Sequence, residues 1–586
     1  MKQFLITVAG VLVGLVLFLF IGPILLLSML ASSMHGPAQP AHMVLALDLR
    51  EAMNDQRPDG PFGSLSRRQS LLETLAKIEA ARTDSSVEGL YIRANTEGMG
   101  PAQSQELRSA LAAFRQSGKF VVAHLQNDGV RMSMAGYLTV AGADEVWLQA
   151  TSEVQPMGLL AEETFFANTL QRYHAQAQFE TREEYKTAAS PLTDSGFSAA
   201  NREEVTGMVN SIYTSLLGGI AADRHITPEQ ARAAIEATPY TAQQAMTYKL
   251  VDHIGRPEDA QRAALARAKD KGAAIVDFAD YRPSASHSGR VIAVVQGEGA
   301  IVSGPPSHEL FNDDQQMNSD RIAKALLDAS NDDDVAAIVF RVNSPGGSVV
   351  ASDQILAALR TAKERGKKVV VSMGDVAASG GYYVSAYADE IIAEPTTLTG
   401  SIGVLGGKLV IGGAMDYYLS SHTDAISVGS PVIGMFSSNR PFNQAERAAF
   451  SGFIDRAYAD FIGLVADGRH MTRDQAHAVA HGRVWTGQQA LERHLVDRLG
   501  GFSDAVARAK ALAGIDANAQ VQLRYYPEEE SPFKAFGRAF GVSEQSVEGL
   551  ARLNAVLSDP RVVHAMAAIR EEDASVRAEA DHTSVR

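Results

Sequence analysis

Residues 374–382 read G-D-V-A-A-S-G-G-Y, directly after the apolar, β-branched run K-K-V-V-V-S-M. A run of that kind is the pattern of a buried strand, and a glycine pair behind a lone serine marks an abrupt change of direction. The segment beyond, G-G-Y-Y-V-S-A-Y-A, opens as a helix. Ser379 therefore stands where a strand gives way to a helix N-terminus. Upstream the chain has the same layout as S-M-A-G-Y, with Met134 in the place of Ser379. One copy has a hydroxyl there and the other does not.

Working outward from that pair, the whole chain is written twice. G-L-Y-I-R-A-N (89–95) and A-I-V-F-R-V-N (337–343) lie 248 residues apart, as do G-K-F-V-V (118–122) and G-K-K-V-V (366–370). Beyond that point the spacing is 245. It relates A-D-E at 143–145 to 388–390, R-H-I-T (224–227) to R-H-M-T (469–472), and T-A-Q-Q-A (241–245) to T-G-Q-Q-A (486–490). In the second copy V-I-A-V-V, A-I-V-F-R-V and V-V-V-S-M read as strands separated by the helical patterns I-A-K-A-L-L and I-L-A-A-L-R-T-A-K. Strands alternating with helices, and apolar almost throughout, predict an α/β fold with a parallel sheet covered on both faces. The expected divisions are an anchor and linker over 1–40, a first repeat over 41–280, a second over 290–520, and a helical, charged tail over 521–586. A Pro- and Ser-containing joint, Y-R-P-S-A-S-H-S-G, separates the repeats at 281–289.

Composition narrows the chemistry. The 586 residues exceed what one hydrophobic core supports. A net charge of −15 argues against nucleic acid as a partner. There is no cysteine, which removes disulfides, thiolate metal sites and a cysteine nucleophile together. From Phe4 to Leu30 the chain runs 27 residues without a charge. A bilayer-crossing helix needs about 20 apolar residues and a signal-peptide core only about 7–15. The length favours a retained single-pass anchor over a signal peptide cleaved near Ala31. Lys2 precedes the run and Arg50 is the first Lys or Arg beyond it, which places the N-terminus in the cytosol and the bulk of the chain outside.

Three loops gather groups suited to acyl transfer. Ser379 has unshielded glycine N–H groups behind it and a helix dipole that favours negative charge; the competing reading is a chemically inert N-cap. R-V-N-S-P-G-G-S (341–348) ends a second strand in a glycine turn, where Gly346 could offer a further N–H to an oxyanion, although Ser-Pro-Gly-Gly is also good turn chemistry. T-L-T-G-S-I-G-V (397–404) places Ser401 between glycines. None of the histidines stands in a recognisable relation to Ser379. His225 and His470, at equivalent repeat positions, read as packing or capping residues. Lys186, in E-E-Y-K-T-A-A-S-P, is the competing base, though a surface role is the default for any one lysine. Its repeat equivalent is Pro431. S-P-F-K at 531–534, the P-loop-like stretch around Lys408 and the D-D-D run at 332–334 carry no matching partners and are set aside.

With the apolar N-terminus, the tandem repeat, A-A-S-G-G-Y, N-S-P-G-G-S, T-G-S-I-G-V and E-Y-K-T-A assembled, the chain resembles the signal peptide peptidase A family in its long bacterial form. The resemblance spans roughly residues 1–519. It implies two ClpP/crotonase-like repeats after an N-terminal transmembrane helix, and a serine protease with a Ser-Lys dyad and no metal or organic cofactor. Carried over by motif, Ser379 is the nucleophile, Lys186 its base and Ser401 a group that assists the lysine. Gly346 and Gly380 are the glycines of the oxyanion site. The resemblance further implies apolar peptides, remnants of cleaved signal peptides, as substrates. It implies a homotetramer, and catalytic domains on the periplasmic side of the bacterial inner membrane. Each copy lacks one half of the dyad, so the site is expected where the two repeats meet. The carboxylates of Glu183 and Glu184 are expected to point away, since nearby negative charge would keep Lys186 protonated. A crotonase-like acyl-CoA hydratase or isomerase, and an inactive membrane scaffold, are the alternatives.

Overall fold

The computed structural model describes Gly10, Gly14 and residues 39–56, 69–95, 99–126, 133–154, 156, 158–283, 289–305 and 315–527. The apolar run from Phe4 to Leu30 and all but the start of the tail expected over 521–586 lie outside these residues, apart from the two glycines. Among the described residues no helix is long and apolar enough to cross a membrane.

Each repeat builds one mainly parallel sheet, and the two sheets have the same strand order. In the first, His253–Ile254, Glu145–Leu148, Phe120–Leu125, Val87–Ala94, Met43–Leu49 and Ala274–Asp277 lie side by side. In the second, Arg498–Leu499, Glu390–Ala393, Lys368–Ala378, Val335–Ser344, Val291–Glu298 and Gln522–Tyr526 occupy the matching places. The second repeat's sheet thus closes with a strand that lies past residue 520. The last strand of each sheet returns to pair with the first, Ala274–Asp277 beside Met43–Ala46 and Gln522–Tyr526 beside Val291–Val295.

The repeats share polar fixtures as well as strands. Tyr137 donates its hydroxyl to the Leu250 carbonyl at 2.6 Å, and Tyr382 donates to Leu495 at 2.9 Å. Arg224 pairs with Asp252 where Arg469 pairs with Asp497. His225 and His470, both at positive φ, end the long Ala199–Asp223 and Gln444–Gly468 helices. A terminal role of that kind fits their packing-or-capping assignment.

The second sheet explains why its strands are apolar at nearly every position. Successive side chains on a strand point to opposite faces. Val291, Ala293 and Val295 enter a core cluster formed by the second repeat. Ile292 and Val294 enter another, shared with Met43, Leu45, Leu72 and Leu107 of the first. Both faces are covered, and one of them by the other repeat. Pro40–Glu529 is accordingly one compact unit.

Two further contacts tie the halves. Gln176–Thr181 pairs antiparallel with Leu405–Val410. Arg341, only 1% exposed, makes two-pronged contacts with Asp55 and Glu106 of the first repeat.

Candidate active site

The Lys368–Ala378 strand leaves the sheet at Ser379, whose φ of 54° and ψ of −116° are rare for a residue with a Cβ. Such strain persists only where the surroundings impose it, and it concentrates at functional sites. The Ser379 N–H donates to the Gly400 carbonyl at 2.8 Å, and its own carbonyl accepts from the Tyr383 N–H at 2.9 Å. Its hydroxyl caps nothing. The first repeat differs here. There Ser133, at φ −66°, caps the Met134–Ala141 helix by accepting from the Gly136 N–H, and Met134 is buried in the core. The copy without the serine is an ordinary capped helix start.

The glycine turn of 344–348 packs directly on this elbow. Gly346 has φ 100°, and a Cβ there would lie 2.6 Å from the Gly380 nitrogen and 2.8 Å from the Ser379 Cβ. Only glycine allows that approach. The Gly346 N–H donates to Ser344 Oγ at 3.1 Å, while its carbonyl accepts from Ile301. The Gly347 N–H makes no hydrogen bond to protein among the described residues. The structure therefore brings Gly346 and Gly380 together, as the motifs suggested, but the uncommitted N–H of the turn belongs to Gly347.

Lys186 reaches this place by the ribbon that joins the repeats. After Gln176–Thr181 pairs with Leu405–Val410, the Arg182 N–H donates to Val404 O and the Tyr185 N–H to His481 O. The chain is thereby laid along second-repeat backbone until Lys186 turns inward. The ammonium nitrogen Nζ lies 3.1 Å from Ser379 Oγ, 2.9 Å from Ser401 Oγ and 2.9 Å from the Ser401 carbonyl. Ser401 is itself at positive φ and donates its N–H to the Arg483 carbonyl at 2.8 Å. All three polar side chains meet within one chain.

Lys186 is 7% exposed, and burial pulls its pKa down to about 8 while the Glu204 carboxylate pushes it back up. A neutral amine has two N–H donors and one lone pair. Ser401 offers two acceptors, which leaves the lone pair for the Ser379 O–H. Glu183 and Glu184 face the other way, as expected. Glu183 lies 3.4 Å from His477 Nε2 and 3.3 Å from His481 Nδ1, and Glu184 lies 3.4 Å from the same His481 nitrogen. Glu204 was missed by the sequence reading. It stands in the Ala199–Asp223 helix with no motif around it, and its burial is set by strands hundreds of residues away. Lys408 and Asp332, set aside above, have structural partners: Lys408 donates to the Met435 and Ser437 carbonyls, and Asp332 pairs with Arg524.

The family model described as Peptidase family S49 matches residues 113–271 and again 361–516, once in each repeat. The chain belongs to peptidase family S49. It is a serine protease. A Clp protease model also matches residues 310–396, which contain the glycine turn and Ser379. Among relatives, "Protease 4" of Salmonella typhi is 33% identical over 485 residues, covering 80% of this chain and 76% of that one. The "Serine protease SPPA, chloroplastic" of Arabidopsis thaliana is 28% identical over 491 residues, covering 82% and 70%. A solved chain of ClpP1 from Listeria monocytogenes is 17% identical, covers 36% of this chain and 94% of its own, and has a TM-score of 0.23. The tandem S49 match sets aside the acyl-CoA hydratase or isomerase reading.

Proposed function

We propose that this S49 peptidase cleaves peptide bonds with a Ser379–Lys186 dyad assembled from its two repeats. The observation that carries the reading is the 3.1 Å contact between Lys186 Nζ and Ser379 Oγ in a buried setting. Neutral Lys186 takes the Ser379 proton as Oγ attacks the peptide carbonyl carbon. The carbonyl oxygen, now carrying the negative charge, is met by the N–H groups of Gly380 and of the 346–347 turn, with Gly347 the donor that has no competing acceptor. The C–N bond breaks as Lys186 returns its proton to the leaving amine. Water then gives a proton to Lys186 and attacks the acyl-enzyme, which restores the Ser379 hydroxyl. Ser401 holds the lysine nitrogen throughout from its Oγ and carbonyl.

The finer reading follows the family. The uncharged run from Phe4 to Leu30 anchors the chain in the bacterial inner membrane with the repeats on the periplasmic side, beside apolar signal-peptide remnants as substrates. Exposed apolar side chains, among them Tyr417, Leu419, Ile426, Val428 and Phe436, fall in one short segment. Exposed apolar side chains so close in sequence favour burial between subunits, in keeping with a homotetramer.

The test is hydrolysis of a short fluorogenic apolar peptide, and labelling by a fluorophosphonate, using the full chain in detergent. Lys186→Ala and Ser379→Ala are each expected to lose about 10³-fold or more in kcat/KM while the fold survives. Labelling should occur at Ser379 alone. Activity retained in Lys186→Ala, or label on another serine, overturns the dyad.

A further inference from the structure

We propose that Glu204 is the positioning residue for Lys186, one carboxyl group that ties the turn bearing the base to the strand paired beside the one that leads into the Ser401 loop. The proposal rests on the dyad reading above and extends it to a residue outside the motifs.

Glu204 is 4% exposed. Its two oxygens serve different elements. Oε1 accepts from the Val484 N–H at 2.6 Å, and Oε2 accepts from Thr187 Oγ1 at 3.3 Å. Thr187 is the residue after Lys186. Val484 opens the Val484–Thr486 strand and follows Arg483, whose carbonyl holds the Ser401 N–H at 2.8 Å. That strand pairs with Leu398–Gly400, and the Gly400 carbonyl holds the Ser379 N–H. A short chain of contacts therefore runs from Glu204 through both arms to the backbone that carries all three active-site residues. One arm lies in the first repeat and the other in the second. Because the dyad is split between repeats, its geometry depends on such a crossing tie, and a displacement near 1 Å already costs catalysis heavily.

A buried carboxyl is an expensive way to hold two strands, since an amide or hydroxyl would accept the same bonds without the desolvation. What the carboxyl adds is charge. Glu204 is the carboxylate that acts on Lys186 and opposes the effect of burial on it. Burial raises Glu204 above the usual carboxylate range, while the Val484 N–H, the Thr187 hydroxyl, Arg483 and Lys186 pull it back toward the charged form. The other carboxylates on that turn and beside Glu204 on its helix are engaged elsewhere. Glu183 and Glu184 face His477 and His481, and Glu203 pairs with Arg483. Glu204 thus favours the protonated form of Lys186 against the effect of burial, which helps the lysine carry the proton it must hand to the leaving amine.

The test compares Glu204→Gln, Glu204→Ala and Thr187→Val with wild type, using the full chain and the pH profile of kcat/KM on a fluorogenic apolar peptide. Glutamine keeps an acceptor for the Val484 N–H but removes the charge. Its acid limb is expected to move down by about half a unit to one pH unit, with modest loss at the plateau. Alanine removes both ties and is expected to cost about 10- to 100-fold in kcat with a smaller change in KM. Thr187→Val cuts only the lysine-side tie and should lower kcat without moving the profile. The proposal is overturned if Glu204→Gln leaves the acid limb in place, or if soluble, folded Glu204→Ala keeps wild-type kcat. Should the Glu204 variants fail to fold, an unchanged kcat in Thr187→Val overturns it instead. Lys186→Ala separates the two claims. If it is active the dyad itself is wrong; if it is dead while Glu204 and Thr187 variants behave as wild type, only the positioning role falls.

Discussion

Arg341 of the second repeat holds Asp55 of the first through two hydrogen bonds, Nε to Oδ2 at 2.8 Å and Nη2 to Oδ1 at 3.2 Å, with both side chains 1% exposed. The same guanidinium grips Glu106 at 2.6 Å and 3.2 Å and donates to Ser372 Oγ and the Met373 carbonyl. Its donors are consumed by this clasp. A buried ion pair adds little over a matched apolar contact, but removing one partner strands the other's charge. Arg341→Met leaves two carboxylates without their cation and is expected to cost about 3–5 kcal/mol in urea-induced unfolding. Adding Asp55→Asn and Glu106→Gln to it should recover part of that loss.

The same joint carries more acid than base. Burial raises Glu106 and Glu298 to about 7 and Asp375 to about 6, and lifts Glu394 well above the carboxylate range, with Arg341 opposing each of these shifts. Acids with raised folded-state pKa values bind protons in the native state that the unfolded chain has released, so stability falls as pH rises from about 4.3 through 7. The melting temperature is expected to peak near pH 5 and decline by several degrees toward pH 8. Glu298 accepts the N–H groups of Asp55 and Gln56 at 3.3 Å and 3.0 Å. Glu298→Gln should flatten the slope between pH 5 and 8 in a thermal melt; an unchanged slope would exclude Glu298 as a contributor.

Activity should run the other way with pH. Only neutral Lys186 accepts the Ser379 proton, and burial sets its midpoint near 8. Below that midpoint kcat/KM is expected to drop about tenfold per pH unit, and to level off above it. A profile flat from pH 6 to 9 would mean that another base serves Ser379. Activity and stability together predict a working optimum close to pH 8, where the base is half neutral and the acid-rich joint has begun to weaken.

Much of this was legible in the sequence because the repeat doubled every signal. Strand and helix alternation, the glycine turns and the missing Ser and Lys of opposite copies all came from motifs shorter than ten residues. The contacts that make the site were not local. Lys186 reaches Ser379 only because Gln176–Thr181 adds to Leu405–Val410, a pairing between runs with no helical or strand-alternation signal strong enough to match them. The choice of Gly347 over Gly346 as the turn's open N–H depends on Ser344 Oγ filling the other, a matter of one side-chain rotamer. The strand Gln522–Tyr526 falls in the stretch expected as tail, and Gln522 and Arg524 interrupt its apolar pattern. It is an edge strand, paired on one side, so its polar side chains are tolerated there.

Gly482 offers the sharpest local test. It has φ 73°, and a Cβ there would come within 2.6 Å of the Lys186 backbone nitrogen and 2.7 Å of its Cβ. Its N–H is held by the Ile402 carbonyl at 2.9 Å, one residue after Ser401, so it cannot easily swing aside. Gly482→Ala combines a left-handed backbone that disfavours alanine with a direct clash against the base. The shortest way to relieve it moves the Lys186 turn away from Ser379 and lengthens the 3.1 Å contact. Loss of about 100-fold in kcat/KM is expected, with a stability loss of about 1–3 kcal/mol. Fluorophosphonate labelling of Ser379 in the folded variant should slow in parallel, because the serine has lost its base and not its place. Labelling at the wild-type rate alongside lost peptide hydrolysis would put the damage in substrate binding instead.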